Sequence, residues 1–258
     1  MFSRSAACLL IFALSLRGQT PLENSGKPMR VAYECTAADT QAAGLGCSED
    51  DPCPVYLELA NVEAVGAKIF VTGNLHTPMA TLDSILLASD DGGSTWTEPH
   101  PRIHSSGLDQ IQFIDFQNGW IAGANLQGAP RDPFLLITTD GGKTWRERPI
   151  FEETRVAAIE RFWFDSPEHG MLLIDARLDN GRHEVYETQT GGKSWTIHPA
   201  SAEPVGSSKD STKEKQAGGS GWRVRTDAAT HSYVIEKSEN NRWQKVASFL
   251  VSIAVCKE

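Results

Sequence analysis

One turn sequence occurs three times in this chain at nearly equal spacing. The copies are Ser89-Asp90-Asp91-Gly92-Gly93-Ser94-Thr95-Trp96, Thr138-Thr139-Asp140-Gly141-Gly142-Lys143-Thr144-Trp145 and Thr188-Gln189-Thr190-Gly191-Gly192-Lys193-Ser194-Trp195. Their tryptophans lie 49 and then 50 residues apart, and a degenerate fourth copy, Ser238 to Trp243, follows 48 residues later. Apolar runs of strand length precede the first two copies, Ile85-Leu86-Leu87-Ala88 and Phe134-Leu135-Leu136-Ile137. Short strands repeating every roughly 40–50 residues predict a β-propeller with one blade per repeat. The expected fold is therefore all-β, built of four-stranded antiparallel blades.

The turn chemistry explains the repeated residue types. Paired glycines supply positive φ, where a Cβ would be strained. Asp91 and Asp140 can accept hydrogen bonds from nearby backbone N–H groups and close the turn on itself. Each tryptophan is large enough to fill the wedge between neighbouring sheets, with an indole N–H seeking a carbonyl. On this reading Asp91, Gly93, Trp96, Asp140, Gly142, Trp145, Thr190, Gly192, Trp195 and Trp243 are structural residues.

The turn sequence resembles the Asp-box, or BNR, repeat of sialidases, sortilin-type receptors, xyloglucan hydrolases and the photosystem II assembly-factor propellers. A second marker, Phe113-Ile114-Asp115-Phe116-Gln117-Asn118-Gly119-Trp120-Ile121-Ala122-Gly123, is similar to a hairpin of the assembly-factor-like group, with a looser echo from Phe162 to Gly170. The resemblance covers about residues 57–246. It implies boxes at the blade periphery, away from any active site, and recognition of a protein through loops rather than chemistry. Two departures stand out: Thr190 and Ser238 replace the box aspartate, and the fourth copy has lost both glycines.

Residues 1–18 read as an export signal, with Arg4 ahead of a short apolar core, and 19–258 as one propeller domain. Removing them leaves 22 basic against 33 acidic side chains and moves the net charge from −9 to −11. Such a surface disfavours nucleic acid as a bulk partner. The mature chain contains no run apolar enough to span a bilayer, so the protein is expected in the periplasm or outside the cell.

Cys35, Cys47, Cys53 and Cys256 then remain, an even number that favours two disulfides in an exported chain, with three pairings open. Propellers commonly close with strands from both chain ends in one blade. That topology points to Cys35–Cys256 as a latch and Cys47–Cys53 as a loop staple. No usual zinc spacing is present, and no metal or other cofactor is expected; Glu49-Asp50-Asp51 could at most hold calcium weakly. Strands at about 29–36, 54–60 and 249–256 would form a composite closing blade from about 29–60 and 249–258. Five blades are thus expected, with four or an incomplete ring as alternatives. A polar segment, 201–220, interrupts the fourth repeat.

If strands run up and down, the boxes mark one face and the B–C and D–A loops emerge on the other. The B–C loops carry His76, Arg131, Asp132, Arg177, Arg182 and His183; the D–A loops carry His100, Arg102, His104, Arg148 and Arg155. Arginines gathered on one rim suit carboxylates or acidic peptide side chains. Three functions follow: a non-catalytic protein-binding or assembly module, a receptor module for a peptide or sugar, or a glycoside hydrolase. A sialidase needs three arginines on one carboxylate, a Tyr–Glu pair and an acid Asp. Its early Arg-Ile-Pro element is missing, and Tyr33, Tyr56, Tyr186 and Tyr233 are the only tyrosines. The binding module is the preferred reading.

Overall fold

The computed structural model describes residues 20–198 and 221–257. The signal reading at 1–18 and the polar segment 201–220 lie outside them. A short strand β1 (Leu22–Glu23) and a helix α1 (Ala37–Ala42) precede the first repeat, which is β2 (Cys53–Val65), β3 (Lys68–His76), β4 (Thr81–Ser89) and the short β5 (Thr95–Trp96). The second repeat is β6 (Ser106–Phe113), β7 (Gly119–Asn125), β8 (Arg131–Thr138) and β9 (Arg146–Pro149). The third is β10 (Ala158–Phe164), β11 (Gly170–Ala176), a helical turn α2 (Arg177–Asn180), β12 (Arg182–Thr188) and β13 (Thr196–Ile197). β14 (Trp222–Asp227), β15 (Ser232–Glu239) and β16 (Arg242–Leu250) make the fourth, and β17 (Ser252–Cys256) ends the chain.

All pairings within these sheets are antiparallel, in the orders β17-β2-β3-β4, β6-β7-β8-β9, β10-β11-β12-β13 and β14-β15-β16. β1 pairs separately with β5. The first strand of each complete repeat is kinked at the same place, by register breaks between Leu59 and Asn61, Leu108 and Ile111, and Ile159 and Arg161. Such bulges bend a strand and sharpen its twist. These strands also make the inter-blade contacts: β6 packs against β2, β3 and β4, β10 against β6, β7 and β8, and β2 against β14 and β15. The last repeat meets the first. The fold is a β-propeller.

Three buried clusters fill the joints between successive sheets. Trp96, Phe249, Ile235 and Leu57 join the fourth sheet to the first. Phe70, Leu86, Ile121 and Trp145 join the first to the second, and Trp120, Leu135, Phe164 and Leu172 the second to the third. The box builds each joint. In the first copy Asp91 Oδ1 accepts from the backbone N–H groups of Ser94 and Thr95, both at 2.9 Å, and Ser89 Oγ accepts from Gly93 N–H at 2.8 Å. The second copy repeats this through Asp140, Thr144, Thr138 and Gly142. The first glycine of each box donates to the neighbouring hairpin turn: Gly92 to Ala67 O, Gly141 to Gln117 O, Gly191 to Glu168 O. Its second glycine faces the preceding sheet, Gly93 against Val246, Gly142 against Phe70 and Gly192 against Ile137.

The tryptophans are less uniform than their spacing predicts. Trp96 is fully buried, edge-on to Phe249, and donates to Gly93 O at 3.1 Å. Trp145 is buried edge-on to Phe70 and Phe113, but its N–H has no partner among the described residues. Trp195 is half-buried against Phe164, and its N–H is likewise unpartnered. Thr190 replaces the aspartate with a single hydroxyl that accepts from Ser194 N–H at 3.0 Å. The fourth copy is not a box. Asn240 and Asn241 both take positive φ, 51° and 60°, and Ser238 pairs with Trp243 across a two-residue hairpin. Trp243 is consequently 42% exposed, with the Arg223 guanidinium stacked 4.1 Å above its ring.

The chain ends meet as the cysteines suggest, with the expected strands at about 54–60 and 249–256 paired, but within the sheet of the first repeat. β17 adds to β2 of the first repeat, placing Cys256 opposite Cys53, so it does not build a blade of its own. Residues 29–36 form no strand; Met29 alone bridges to Phe249. The 13-residue length of β2 leaves its N-terminal half an edge that β17 can pair with. Cys35–Cys256 and Cys47–Cys53 are both formed.

Candidate functional site on the loop face

Because the box turns and the β2–β3, β6–β7 and β10–β11 turns bond to one another, they share one face. The β3–β4, β7–β8 and β11–β12 connections emerge on the opposite face, with the segments that lead into β6 and β10. The basic side chains named from the sequence lie there, except Arg148, which sits within β9 opposite Leu135, and half of the ten have a carboxylate at ion-pair distance. Arg102 makes a bidentate pair with Glu98, at 2.8 and 2.7 Å, donates to Ala32 O and lies over the Tyr33 ring. Arg177 pairs with Asp175 at 2.7 Å. His104 pairs with the buried Asp83 and His183 with Glu160, both at 2.8 Å. His100 Nδ1 donates to Pro101 O at 2.6 Å.

Arg155 is the most heavily committed. Its guanidinium reaches Asp179 at 2.8 Å, Glu184 at 2.8 Å and the Tyr186 hydroxyl at 3.1 Å, over the ring of Phe151. Its hydrogen bonds hold the Glu184 carboxyl down to about 2. Asp132, at φ 49°, exchanges two hydrogen bonds with the Arg155 backbone and so ties the second repeat to the third. Arg131 donates to Gln127 O at 3.2 Å. Only Arg148 and Arg182 of the set are exposed with no carboxylate at ion-pair distance among the described residues. Arg102, Arg155 and Arg177 are therefore not free to receive a carboxylate, whereas Arg131, Arg148 and Arg182 have none at ion-pair distance among the described residues. Nor do Arg102, Arg155 and Arg177 converge on one point: each has its own carboxylate.

The face does hold an open cleft of about 440 Å³ between the first two repeats. Glu58 and Asn74 line its wall from β2 and β3, residues His76 to Thr81 form one rim, and Leu126 to Gly128 form the other. Ser105 and Ala43 also line it. The first rim is held by Thr77, whose hydroxyl accepts from the N–H groups of Met79 and Ala80, at 3.2 and 3.1 Å. Met79 is thereby displayed at 83% exposure. Gln127 donates to Ala42 O, linking the second rim to the N-terminal segment. Of these residues the sequence pointed only to His76. Glu58 reads there as one more polar strand position, and nothing local marks it as cleft-lining.

No family model matches the chain, and no curated protein matches it. Similar solved structures include the GH74 xyloglucanase Xcc1752 from Xanthomonas campestris, 14% identical with a TM-score of 0.41, over 68% of this chain and 26% of that one. YCF48 bound to a D1 peptide is 17% identical with a TM-score of 0.37, over 77% of this chain and 57% of that one. YCF48 from Cyanidioschyzon merolae is 14% identical with a TM-score of 0.38, over 77% and 49%. The chain thus spans about a quarter of the xyloglucanase and about half of each YCF48 chain. The likeness is to propellers. At these identities it concerns fold alone, and neither the enzyme's activity nor the peptide of YCF48 passes to this chain with it.

Proposed function

We propose that this protein is an exported, non-catalytic binding or assembly module that holds a protein or peptide on its B–C and D–A loop face. The cleft between the first two repeats carries this reading. Loops of two adjacent blades and the N-terminal segment converge on it, and an exposed methionine stands at its rim. Concave sites with a few convergent polar groups are the usual places for ligands, and exposed methionine adapts to varied apolar surfaces. The separate neutralisation of Arg102, Arg155 and Arg177 speaks against a sialidase-like grip on a sugar carboxylate. Two disulfides accord with an oxidising compartment, and no described helix is long and apolar enough to cross a membrane.

An array of random dodecapeptides probed with the labelled protein tests the proposal. Binding should be lost in Met79→Glu and kept in Phe116→Ser, which alters an exposed side chain on the box face. Equal binding by the two variants, or no bound peptide at all, would refute it.

A further inference from the structure

The cleft also has a definite chemical character. Glu58 accepts one hydrogen bond, from Asn74 Nδ2 at 3.0 Å, and no Lys, Arg or His among the described residues reaches ion-pair distance of it. That bond turns Asn74 Oδ1 inward, where it is shielded from solvent and has no donor. His76 Nδ1 lies 3.0 Å from Thr77 O; a carbonyl only accepts, so Nδ1 carries the hydrogen and Nε2 keeps a lone pair in the neutral ring. The Glu58 carboxylate and the His76 imidazole nitrogen are both acceptors. The charge of Glu58 is also felt nearby: after desolvation, it is what raises the carboxyl of Asp109, and after burial, the hydroxyl of Tyr233. Arg131 does not itself line the cleft, and its guanidinium is engaged with Gln127 O of the second rim at 3.2 Å.

From these contacts we infer that the cleft receives a protonated basic side chain of a peptide, with Glu58 as its counter-charge and His76 as a further acceptor. Guanidinium and ammonium groups carry donors only and a positive charge, so they satisfy acceptors that a carboxylate ligand would leave in conflict and meet the charge of Glu58, which a neutral amide does not. Met79 at the rim offers apolar surface to the methylene stem of such a side chain. The inference rests on the loop face being the binding face, and it reverses the ligand charge that the arginine count suggests.

Four peptides of the form acetyl-Ala-X-Ala-amide, with X arginine, lysine, citrulline or glutamate, provide the test. Binding is followed by NMR titration, with the His76 ring and Asn74 amide signals as reporters. Arginine or lysine should bind at least tenfold more tightly than citrulline, and Glu58→Gln should abolish that preference without changing the melting temperature. Equal binding of the arginine and citrulline peptides, absence of shifts at His76 and Asn74 in the wild type, or an unchanged preference in Glu58→Gln would overturn it. Should the glutamate peptide shift the cleft signals instead, the basic-ligand inference falls while the binding-face reading stands. Shifts confined to the box face would overturn both.

Discussion

Gly142 of the second box lies directly against the ring of Phe70 in the preceding sheet, at φ 80°. A Cβ there would meet the ring and also strain the backbone. Gly142→Ala should therefore cost about 2–4 kcal/mol, from left-handed strain plus overpacking. Gly92→Ala faces open space at φ 72° and should cost about 1 kcal/mol, from strain alone. Urea denaturation with the disulfides intact measures both; similar losses would show that the glycines serve only the turn and not the joint.

Trp145 and Trp243 occupy equivalent sequence positions but different environments. Trp145→Ala should open a cavity in the joint between the first and second sheets and cost about 3–5 kcal/mol. Trp243→Ala removes a half-exposed ring under Arg223 and should cost about 1 kcal/mol or less. Equal shifts in midpoint would contradict the hairpin placement of the fourth copy.

Acid should act through the first two boxes and spare the third. Asp91 is held at about 2 by hydrogen bonds from the Thr95 backbone, Ser89 and the Thr95 hydroxyl; Asp140 is held at about 2, chiefly by the Thr144 hydroxyl. Both folded values lie below an unfolded aspartate near about 4. Their stabilisation is thus fully present above pH about 4 and is lost as the pH falls towards about 2. Thermal melts between pH 5 and 2 should show a shallower acid dependence in Asp140→Asn than in the wild type. In Thr190→Ser the slope should be unchanged, because neither hydroxyl titrates in that range.

Arg155 pins loops rather than serving as a free receptor group. Arg155→Met leaves Glu184 and Asp179 without their cation and should destabilise the fold by about 2–3 kcal/mol, less than a fully buried pair because solvent reaches Asp179. Adding Glu184→Gln should recover part of that loss, a coupling that a double-mutant cycle reads directly. Strict additivity would disprove the pin.

The two disulfides should differ in worth because they close very different loops. Cys35–Cys256 spans 221 residues and Cys47–Cys53 only 6. Loop-closure entropy assigns the first about 5 kcal/mol and the second about 2 kcal/mol. Paired Cys→Ser variants compared by chemical denaturation check the ranking, and a reversed order would show that native contacts, not chain entropy, dominate.

What the sequence determined was local. Positive φ calls for Gly92-Gly93 and their copies, and a carboxylate at Asp91 or Asp140 closes a turn on the amides three and four residues on. The resulting period prescribes a ring of antiparallel sheets with the boxes on one face. The cysteines left three pairings open, of which the latch between Cys35 and Cys256 suited ends that must meet. Tertiary structure decided what depends on distant partners. Glu184 is 29 residues from Arg155 and Glu160 is 23 from His183, so no pattern in the chain shows those partnerships. Asn240 and Asn241 turn the fourth copy into a plain hairpin and move Trp243 out of the wedge. Glu58, unremarkable on its strand, gains its meaning from the loops that close around it and from the absence of a described cation within reach. Turn geometry is encoded over four to eight residues, whereas charge balance and concavity are set by which strands the ring brings together.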